Sequence, residues 1–342
     1  GDRDLDEGRP LLAPGADVAV GELVRRRLGD EVVDRLVDPM LGGVYAGHAD
    51  RLSLAVTMPS LARAARQEHT LLGAVHAAMA AAVRVPGRPF FASVDGGQTR
   101  LVEAAAEASG ATISLGSTVQ ELSRTATGWR LVLGPVPAPQ VVEVDAVILA
   151  VPAAPAARLL GDVGGLARLG GAAPLDYAGV ALVAIALPAD TELPQLSGFL
   201  VPAGEATLVK AATFMTRKWP HLRRSDDPGP IIVRASIGRH GEEQCLQRDD
   251  QSLIDVAHAD LGKLLGTPLP TPLGAWVQRW GGSLPQYTPG HLDRVAAVRT
   301  ALGASHPGIA VAGAAYDGVG IPACITSGET AADDVLKALE EA

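Results

Sequence analysis

Hydrophobic positions in the first ninety residues follow a helical period. Apolar side chains recur about every 3.6 residues from Asp17 to Leu36, which predicts a helix there. Pro39 and the Gly42-Gly43 pair predict its end. An Ala- and Leu-rich stretch predicts a second helical region over roughly 58–83. The segment 1–92 is therefore predicted to be mostly α-helical, after a polar loop over residues 1–16.

From Ser93 the pattern changes to short β-like runs that alternate with helices. A helix is predicted over Thr99–Ala108. A strand and a three-stranded meander should follow, over residues 111–115, 119–124, 129–133 and 141–145. The continuous apolar run Ala146–Val151 is typical of a strand buried on both faces. This order of elements predicts an α/β arrangement.

The region 175–280 contains further β-like runs and one clear helix. The runs cover Gly179–Leu187, Ala206–Ala212 and Ile231–Ile237, and the helix covers Asp249–Leu265. Together they predict a mixed, largely antiparallel sheet with helices. The fold class expected for the whole chain is α/β, and α+β overall.

The C-terminal segment combines a strand, a Gly-rich turn and a terminal helix. The apolar run Gly308–Gly313 predicts the strand, and the turn Tyr316–Pro322 follows it. Gly318 and Gly320 permit close backbone approaches that a Cβ would prevent. Pro322 suits the first turn of a helix, whose apolar face is predicted to carry Ala332, Val335, Leu336 and Leu339. A turn of this kind presents free N–H groups to an electron-rich ligand.

The same segment matches the dinucleotide-binding fingerprint formally. Gly318-Val-Gly320-Ile-Pro-Ala323 fits the spacing, but too little chain follows for the next strand of a βαβ unit. Taken alone, the match is equally compatible with a capped terminal helix after a strand.

Composition and charge exclude several functions. The 342 residues carry a net charge of −9 without a basic stripe, which disfavours nucleic-acid binding. The two cysteines, Cys245 and Cys324, are far apart, which suits a reducing cytoplasm and excludes a cysteine zinc site. The scattered histidines predict no metal site. Serine-hydrolase, zinc-protease and P-loop motifs are absent, so no catalytic acid–base residue is predicted.

Seven blocks, in order along the chain, resemble the protoporphyrinogen and coproporphyrinogen oxidases, which are FAD enzymes of haem synthesis. The blocks are Asp38–Gly47, Asp50–Leu54, Ser93–Gly97, Val147–Pro152, Gly198–Pro202, Lys218–His221 and Leu284–Tyr287. The C-terminal turn Tyr316–Pro322 also resembles the flavin-contacting stretch of that family. The matches span the chain from about Asp17 onward.

The resemblance implies a domain organisation. Residues 1–92 would form the helical, substrate-covering domain, which in this family often touches membrane. Residues 93–152 and 301–342 would form an incomplete Rossmann-like FAD domain, and residues 153–300 the mixed-sheet substrate domain.

The resemblance also implies cofactor-binding residues. The turn at Val319, Gly320 and Ile321 would face the pyrimidine edge of the isoalloxazine, where backbone N–H groups stabilise negative charge. Gly313 and Ala314 would lie near the pyrophosphate. The remaining candidates are the backbone of Val119 near the adenine, the strand end at Ala150 and Val151, and Trp280, for which packing in the core is an equal alternative.

The family resemblance implies oxidation of a porphyrinogen with oxygen as acceptor. The Ala-, Gly-, Arg- and Val-rich composition is typical of a high-GC genome and favours coproporphyrinogen III over protoporphyrinogen IX. A cytoplasmic location is expected, peripheral on the inner face of the membrane, with contact to a downstream haem-pathway enzyme.

One departure from the family pattern concerns the N-terminus. Family members begin with a strand, a Gly-rich turn and a helix that bind the ADP half of FAD, whereas this chain begins Gly1-Asp2-Arg3-Asp4. The chain is therefore expected to be a fragment with weakened FAD affinity and activity. Two other functions stay open: another flavin amine oxidase-like enzyme, such as a polyamine oxidase or a desaturase, and a non-catalytic porphyrin-binding fragment.

Overall fold

The chain contributes two separate stretches to each of two units. The computed structural model describes residues 4–82, 87, 91–222 and 229–341. The first unit joins Gly1–Ala82 to Asp176–Gly290, and the second joins Val83–Leu175 to His291–Ala342. The four-segment organisation expected from the family resemblance stays a prediction.

Thirteen α-helices are present among the described residues. They are α1 Val20–Leu28, α2 Asp30–Val32, α3 Asp38–Tyr45, α4 Leu54–Thr57, α5 Pro59–Ala65, α6 Leu71–Ala81, α7 Thr99–Ser109, α8 Ala153–Leu160, α9 Met215–Lys218, α10 Asp250–Leu265, α11 His291–Ser305, α12 Ala314–Asp317 and α13 Ile321–Glu340. A π-helical turn, Val33–Val37, connects α2 to α3.

Ten strands form three sheets in the described part of the chain. The strands are β1 Val119–Arg124, β2 Trp129–Leu133, β3 Gln140–Val144, β4 Val147–Leu149, β5 Tyr177–Leu187, β6 Gly198–Leu200, β7 Val209–Phe214, β8 Ile231–Ile237, β9 Gly274–Pro285 and β10 Ile309–Val311. The first unit holds a five-stranded antiparallel sheet in the order β6-β7-β8-β5-β9. The second unit holds the antiparallel sheet β1-β2-β3 and the parallel pair β10-β4.

The predicted helix end at Pro39 and Gly42-Gly43 is wrong, because α3 runs through these residues to Tyr45. Pro39 lies in the first turn of α3 and has no N–H to donate to the preceding turn. The π-helical turn stands directly before α3 and changes the backbone hydrogen-bond pattern at this point, so that the helix accommodates the proline. The glycines serve close packing instead. A Cβ on Gly42 would lie 2.7 Å from Nη2 of Arg239, and one on Gly43 would lie 2.8 Å from Cδ2 of Leu200.

The core of the first unit has two parts. Alternate residues of the central strands, such as Val183, Ile185, Val233 and Ala235, pack against α10 on one face of the sheet. A second cluster joins the apolar faces of the N-terminal helices, as the helical period predicts. The predicted helix over 58–83 is interrupted, since residues 66–70 between α5 and α6 are not helical.

Two predictions for the second unit are wrong, and a third is right only in part. Residues 111–115 form no strand and are exposed. The run Ala146–Val151 contributes only the three residues of β4, which pairs with β10 alone among the described strands, so that Ile148 stays exposed. On α13, Leu336 and Leu339 are exposed, whereas Ser327 and Ala331 are buried. Val335 packs against the buried cluster of Ala310, Ala312 and Ala331, and Ala332 is half-buried, so the predicted face of α13 is right for these two residues and wrong for the two leucines.

Candidate functional site

The carboxyl ends of the two parallel strands in the second unit lie at one edge. Ile309 pairs with Val147 and Val311 with Leu149. The N–H of Ala312 donates to the carbonyl of Leu149 at 3.1 Å. The segments that leave this edge are therefore Ala150-Val151 and Gly313-Ala314. In open α/β sheets, ligands bind outside the carboxyl ends of parallel strands.

Gly313 provides an open, glycine-specific position at this edge. Its φ of 107° and ψ of −172° lie in a region that residues with a Cβ rarely adopt. A Cβ built on Gly313 would meet no atom within 4 Å, so the space beside its backbone is empty of protein. Its N–H donates to Oγ of the buried Ser327 at 3.1 Å, which ties the strand end to α13.

The N-terminus of α13 is exposed at the end of the Gly-rich turn. The first helical hydrogen bond runs from the N–H of Cys324 to the carbonyl of Gly320 at 2.9 Å, and no side chain among the described residues caps this end. The preceding amides, those of Ile321 and Ala323, therefore have no partner within the helix. They present the positive end of a 20-residue helix to an electron-rich group.

Gly320 leaves space at the same turn without backbone strain. Its φ of −66° and ψ of 143° are accessible to any residue. The nearest atom to a Cβ built there is Cδ of Pro322, at 3.9 Å. The protein itself therefore does not require glycine at this position, whereas a closely approaching ligand would.

A bidentate ion pair holds the turn in place. Nη1 and Nη2 of Arg299, on α11, bind the two carboxylate oxygens of Asp317 at 2.9 Å and 2.6 Å. Burial alone would raise the pKa of Asp317, but hydrogen bonds from Arg299 and Ser327 outweigh it, and the net pKa lies below its usual value. The carboxylate is thus ionised at neutral pH and engaged in positioning the turn.

Two titratable groups close to the turn are unsuited to acid–base catalysis. Nε2 of the fully buried His291 donates to the carbonyl of Tyr316 at 3.0 Å, and burial lowers the pKa of the imidazole, which keeps it neutral. Burial and the nearby Asp317 raise the pKa of the Cys324 thiol. His291 therefore serves as a buried hydrogen-bond donor, and the raised pKa of Cys324 favours the protonated thiol over the nucleophilic thiolate.

The other two predicted cofactor residues belong to other strands. Val119 is the first residue of β1, an edge strand, where it is half-buried opposite Leu133. Trp280 belongs to the first unit, on β9, and its side chain is 51% exposed. The alternative that Trp280 packs in the core is wrong.

The residues that do gather at the strand ends fit a dinucleotide cofactor. Gly313 and Gly320 leave unfilled space beside the backbone, and the uncapped end of α13 offers N–H donors and a positive dipole. The described residues contain no group of three or more His, Cys, Asp or Glu side chains suited to a metal ion. Open backbone positions beside N–H donors suit an electron-rich organic group.

A second surface with functional character is the sheet face of the first unit that faces away from α10. Two tryptophans on the edge strand β9, Trp276 and Trp280, are 65% and 51% exposed. Trp276 lies opposite Ala184, and Trp280 lies opposite Val180. Residues paired across antiparallel strands share a face. We call this surface, with its small residues and two aromatic rings, the open face of the sheet.

One end of the open face is covered by α3. This helix packs against β6 and β7, and Gly43 contacts Leu200 there. Met40 and Val44, one helical turn apart on α3, are exposed, as is Leu200 on β6. The open face is thus bounded by apolar helical side chains at the β6 edge and by tryptophans at the β9 edge. Among these residues the sequence identifies Trp280 as a candidate, whereas Trp276, four positions earlier on the same strand, belongs to no motif.

Three of the sequence blocks that resemble the porphyrinogen oxidases contact one another in the first unit. Nε2 of Gln286 donates to the carbonyl of Tyr45 at 2.8 Å, and the N–H of Ser53 donates to the carbonyl of Tyr287 at 2.8 Å. A Cβ on Gly47 would lie 2.3 Å from Oε1 of Gln286. The blocks 38–47, 50–54 and 284–287 therefore act as structural connections between the helices and β9.

A buried ion pair secures α3 to the end of β8. Nη1 of Arg239 binds Oδ2 of Asp38 at 2.5 Å, and Oδ1 of Asp38 accepts from the N–H of Ala49 at 2.8 Å. Arg239 is only 1% exposed. The sequence contains no local signal for this pair, since its partners are 201 positions apart.

No helix in the described part of the chain combines the length and apolarity needed to span a membrane.

Comparison with known proteins gives consistent results. The model of the family described as flavin-containing amine oxidoreductase matches residues 4–336. The chain is 38% identical to the coproporphyrinogen III oxidase of Mycobacterium leprae (strain TN), covering 93% of this chain and 67% of that protein. It is 30% identical to the coproporphyrinogen III oxidase of Bacillus subtilis (strain 168), covering 94% of this chain and 67% of that protein.

Solved structures support the same relationship. A protein from Exiguobacterium sp. 255-15, assigned as a protoporphyrinogen oxidase, superposes with a TM-score of 0.79 at 30% identity, covering 96% of this chain and 69% of that one. An engineered putrescine oxidase superposes with a TM-score of 0.62 at 18% identity, covering 94% of this chain and 68% of that one. The latter similarity is one of fold alone.

Proposed function

The chain belongs to the family of flavin-containing amine oxidoreductases and is an FAD-dependent oxidoreductase, and we propose that it oxidises a porphyrinogen to the porphyrin in haem biosynthesis. Coproporphyrinogen III is the proposed substrate, since relatives at 30–38% identity over more than nine tenths of this chain carry that activity in their names. Protoporphyrinogen IX is the second candidate, because a chloroplast relative from Arabidopsis thaliana, 27% identical, carries that name.

In this proposal, FAD is held in the second unit by the segments that follow β4 and β10 and by the Gly-rich turn before α13. Gly313 and Ala314 would lie against the pyrophosphate, and the amides at Val319, Gly320 and Ile321 against the electron-rich edge of the ring system. Supporting this are the unfilled space beside both glycines and the uncapped helix end. Ala150 and Val151 would line the same edge, while Val119 and Trp280 stay predictions as cofactor contacts.

When bound, FAD would supply a two-electron acceptor for hydride from a bridging carbon of the porphyrinogen, and three such oxidations, each with loss of a proton and return of the electrons to oxygen, would give the porphyrin. The contribution of the chain is to orient the reactants and stabilise charge. The N-terminal amides of α13 provide preorganised donors where negative charge develops. The Asp317–Arg299 pair fixes the turn that aims them. Neither the buried His291 nor Cys324 is needed, so pyrrole protons would leave to solvent.

The open face of the sheet is the surface that best suits the substrate. A porphyrinogen is a broad and largely apolar macrocycle. The exposed rings of Trp276 and Trp280, the small residues beside them and the apolar side chains of α3 provide a correspondingly broad surface. This surface is the observation that carries the substrate assignment, since a small diamine would not need it.

Molecular oxygen is the proposed final acceptor. Peripheral contact with a membrane, and with a later enzyme of haem synthesis, remain predictions. Leu72 and Met79, seven positions apart on α6 and both exposed, support the first of these. Sedimentation with anionic vesicles tests it, and a chain that stays in the supernatant would contradict it.

A substrate comparison tests the proposed function. The FAD-loaded protein is supplied with coproporphyrinogen III, protoporphyrinogen IX or putrescine in air, and porphyrin fluorescence and hydrogen peroxide are recorded. Porphyrin formation above the spontaneous rate, with three molecules of hydrogen peroxide per porphyrin, is the expected result, because the six-electron oxidation reduces three molecules of oxygen. Turnover of putrescine without porphyrin formation would assign the protein to the amine oxidases instead.

A further inference from the structure

A single charged residue lies in the middle of the open face. The register of four strand pairs aligns five residues across the whole sheet: Gly198, Thr213, Arg234, Ala184 and Trp276, on β6, β7, β8, β5 and β9 respectively. Arg234 belongs to the central strand. Its neighbours along β8, Val233 and Ala235, point into the core on the opposite face, so its side chain stands on the open face.

Small neighbours leave the Arg234 side chain accessible. The residues directly opposite it, Thr213 and Ala184, are short. Arg234 is exposed to solvent, although it lies on the central strand of a five-stranded sheet. Ala184 on β5 lies between Arg234 on β8 and Trp276 on β9. The Cα atoms of Arg234 and Trp276 are therefore two interstrand spacings, or about 10 Å, apart.

The guanidinium of Arg234 has no counter-charge in the described part of the chain. No hydrogen bond or ion pair joins it to a described residue, whereas Arg239, five positions later on the same segment, is paired with Asp38. Desolvation by the surrounding sheet lowers the pKa of Arg234. Arginine nonetheless stays protonated at neutral pH. A partly desolvated cation that lacks a counter-charge in the protein is suited to bind an anionic ligand.

The substrate proposed above has the complementary chemistry. Coproporphyrinogen III is an apolar macrocycle that carries carboxylates on flexible side chains. A ring lying on the tryptophan side of the open face would place a carboxylate arm toward the centre of the sheet. Arginine, with its planar fork of donors, is well suited to bind a carboxylate through two hydrogen bonds.

We propose that Arg234 binds a carboxylate of the porphyrinogen substrate and positions the macrocycle across the open face. This inference rests on the proposed function and adds a specificity-determining residue to it. A substrate with more carboxylate arms has more ways to meet Arg234, so the residue favours the tetracarboxylate coproporphyrinogen III over the dicarboxylate protoporphyrinogen IX.

Binding of the reaction product, coproporphyrin III, gives a direct test that does not depend on turnover. Porphyrin fluorescence is titrated with wild-type chain, Arg234→Gln and Arg234→Lys. Loss of a charge-assisted hydrogen-bonding partner should weaken binding roughly tenfold or more in Arg234→Gln. Arg234→Lys should retain part of the affinity, because it keeps the charge but not the bidentate geometry. Arg35→Gln, which removes an exposed arginine that pairs with Glu31 alone among the described residues, is the matched control and should leave binding unchanged.

The tetramethyl ester of coproporphyrin III, dispersed in mild detergent, separates charge recognition from packing. Arg234→Gln should bind this uncharged ligand as the wild-type chain does. Equal weakening for acid and ester would mean that Arg234 supports the surface structurally and would overturn the proposal. Unchanged affinity for the acid would overturn it as well.

Kinetics of the FAD-loaded protein distinguish failure of this inference from failure of the proposed function. Arg234→Gln should raise KM for coproporphyrinogen III by about tenfold with kcat largely retained, and change KM for protoporphyrinogen IX less. Normal KM in the variant, alongside wild-type turnover, would refute the role of Arg234 alone. A wild-type protein that oxidises neither porphyrinogen would refute the proposed function and this inference with it.

Discussion

Replacement of Gly320 by valine tests whether the Gly-rich turn touches FAD. The backbone at this position is unstrained, with φ of −66°, and a Cβ would lie 3.9 Å from its nearest neighbour, Cδ of Pro322. The free energy of unfolding without cofactor should therefore change by no more than about 0.5 kcal/mol. If the cofactor packs against this turn, the valine side chain intrudes on it. Overpacking of about 1–3 kcal/mol then weakens FAD binding about 5- to 150-fold.

The assay pairs two measurements on each variant. Circular dichroism during thermal unfolding reports stability, and quenching of flavin fluorescence reports the Kd for FAD. Gly303→Val is the matched control, because Gly303 is an exposed glycine of α11 in the same unit, and a Cβ there meets no atom within 4 Å. An unchanged Kd in Gly320→Val, with unchanged stability, would refute the contact between this turn and the cofactor.

Three further predictions concern the groups that position these surfaces. Asp38→Asn should destabilise the first unit by about 3–5 kcal/mol, because it leaves the buried Arg239 without a counter-charge. In denaturant titrations followed by tryptophan fluorescence, the exposed-pair control Asp34→Asn should cost less than about 1 kcal/mol, and equal losses would contradict this. Asp317 has a lowered pKa, so its stabilising effect is full above the unfolded-state pKa of about 3.9 and is lost as pH falls through the folded-state value. The stability difference between wild type and Asp317→Asn should therefore vanish in acid, and a pH-independent difference would count against the ion pair. Cys324, whose thiol pKa is raised, should react with iodoacetamide at pH 7 more slowly than a free cysteine, as measured by peptide mass spectrometry.

The regular elements of the core were predictable from the sequence, because their patterns are local. The strand predicted over Ile231–Ile237 coincides with β8, and the helix predicted over Asp249–Leu265 differs from α10 only in that Asp249 is its cap. In both, alternate or helically spaced apolar residues face a single core. The strand predicted over Ala206–Ala212 begins later, at Val209, because residues 203–206 form a turn.

The long strand β9 was missed because only one of its faces has a partner. Gly274–Pro285 contains glycines, polar residues and two exposed tryptophans, and few of its residues enter the core. A strand of this kind lacks the alternation on which sequence-based prediction depends. Its existence is fixed by pairing with β5, a contact across almost one hundred positions.

The two candidate surfaces differ in how far the sequence could locate them. The Gly-rich turn and the helix after it are contiguous, so the residues from Gly313 to Ile321 could be identified by motif and resemblance. The row that contains Arg234 and Trp276 depends on the registers of four strand pairs, and a shift of one residue in any of them would move a side chain to the other face. No local pattern encodes such an alignment.

The most direct test of the central claim is anaerobic reduction of the FAD-loaded protein by a single equivalent of coproporphyrinogen III. The flavin absorbance should bleach faster than in a mixture of free FAD and porphyrinogen. Admission of oxygen should restore the absorbance as porphyrin fluorescence rises. Persistence of the flavin absorbance under these conditions, in a protein that has bound FAD, would contradict the assignment as a porphyrinogen oxidase.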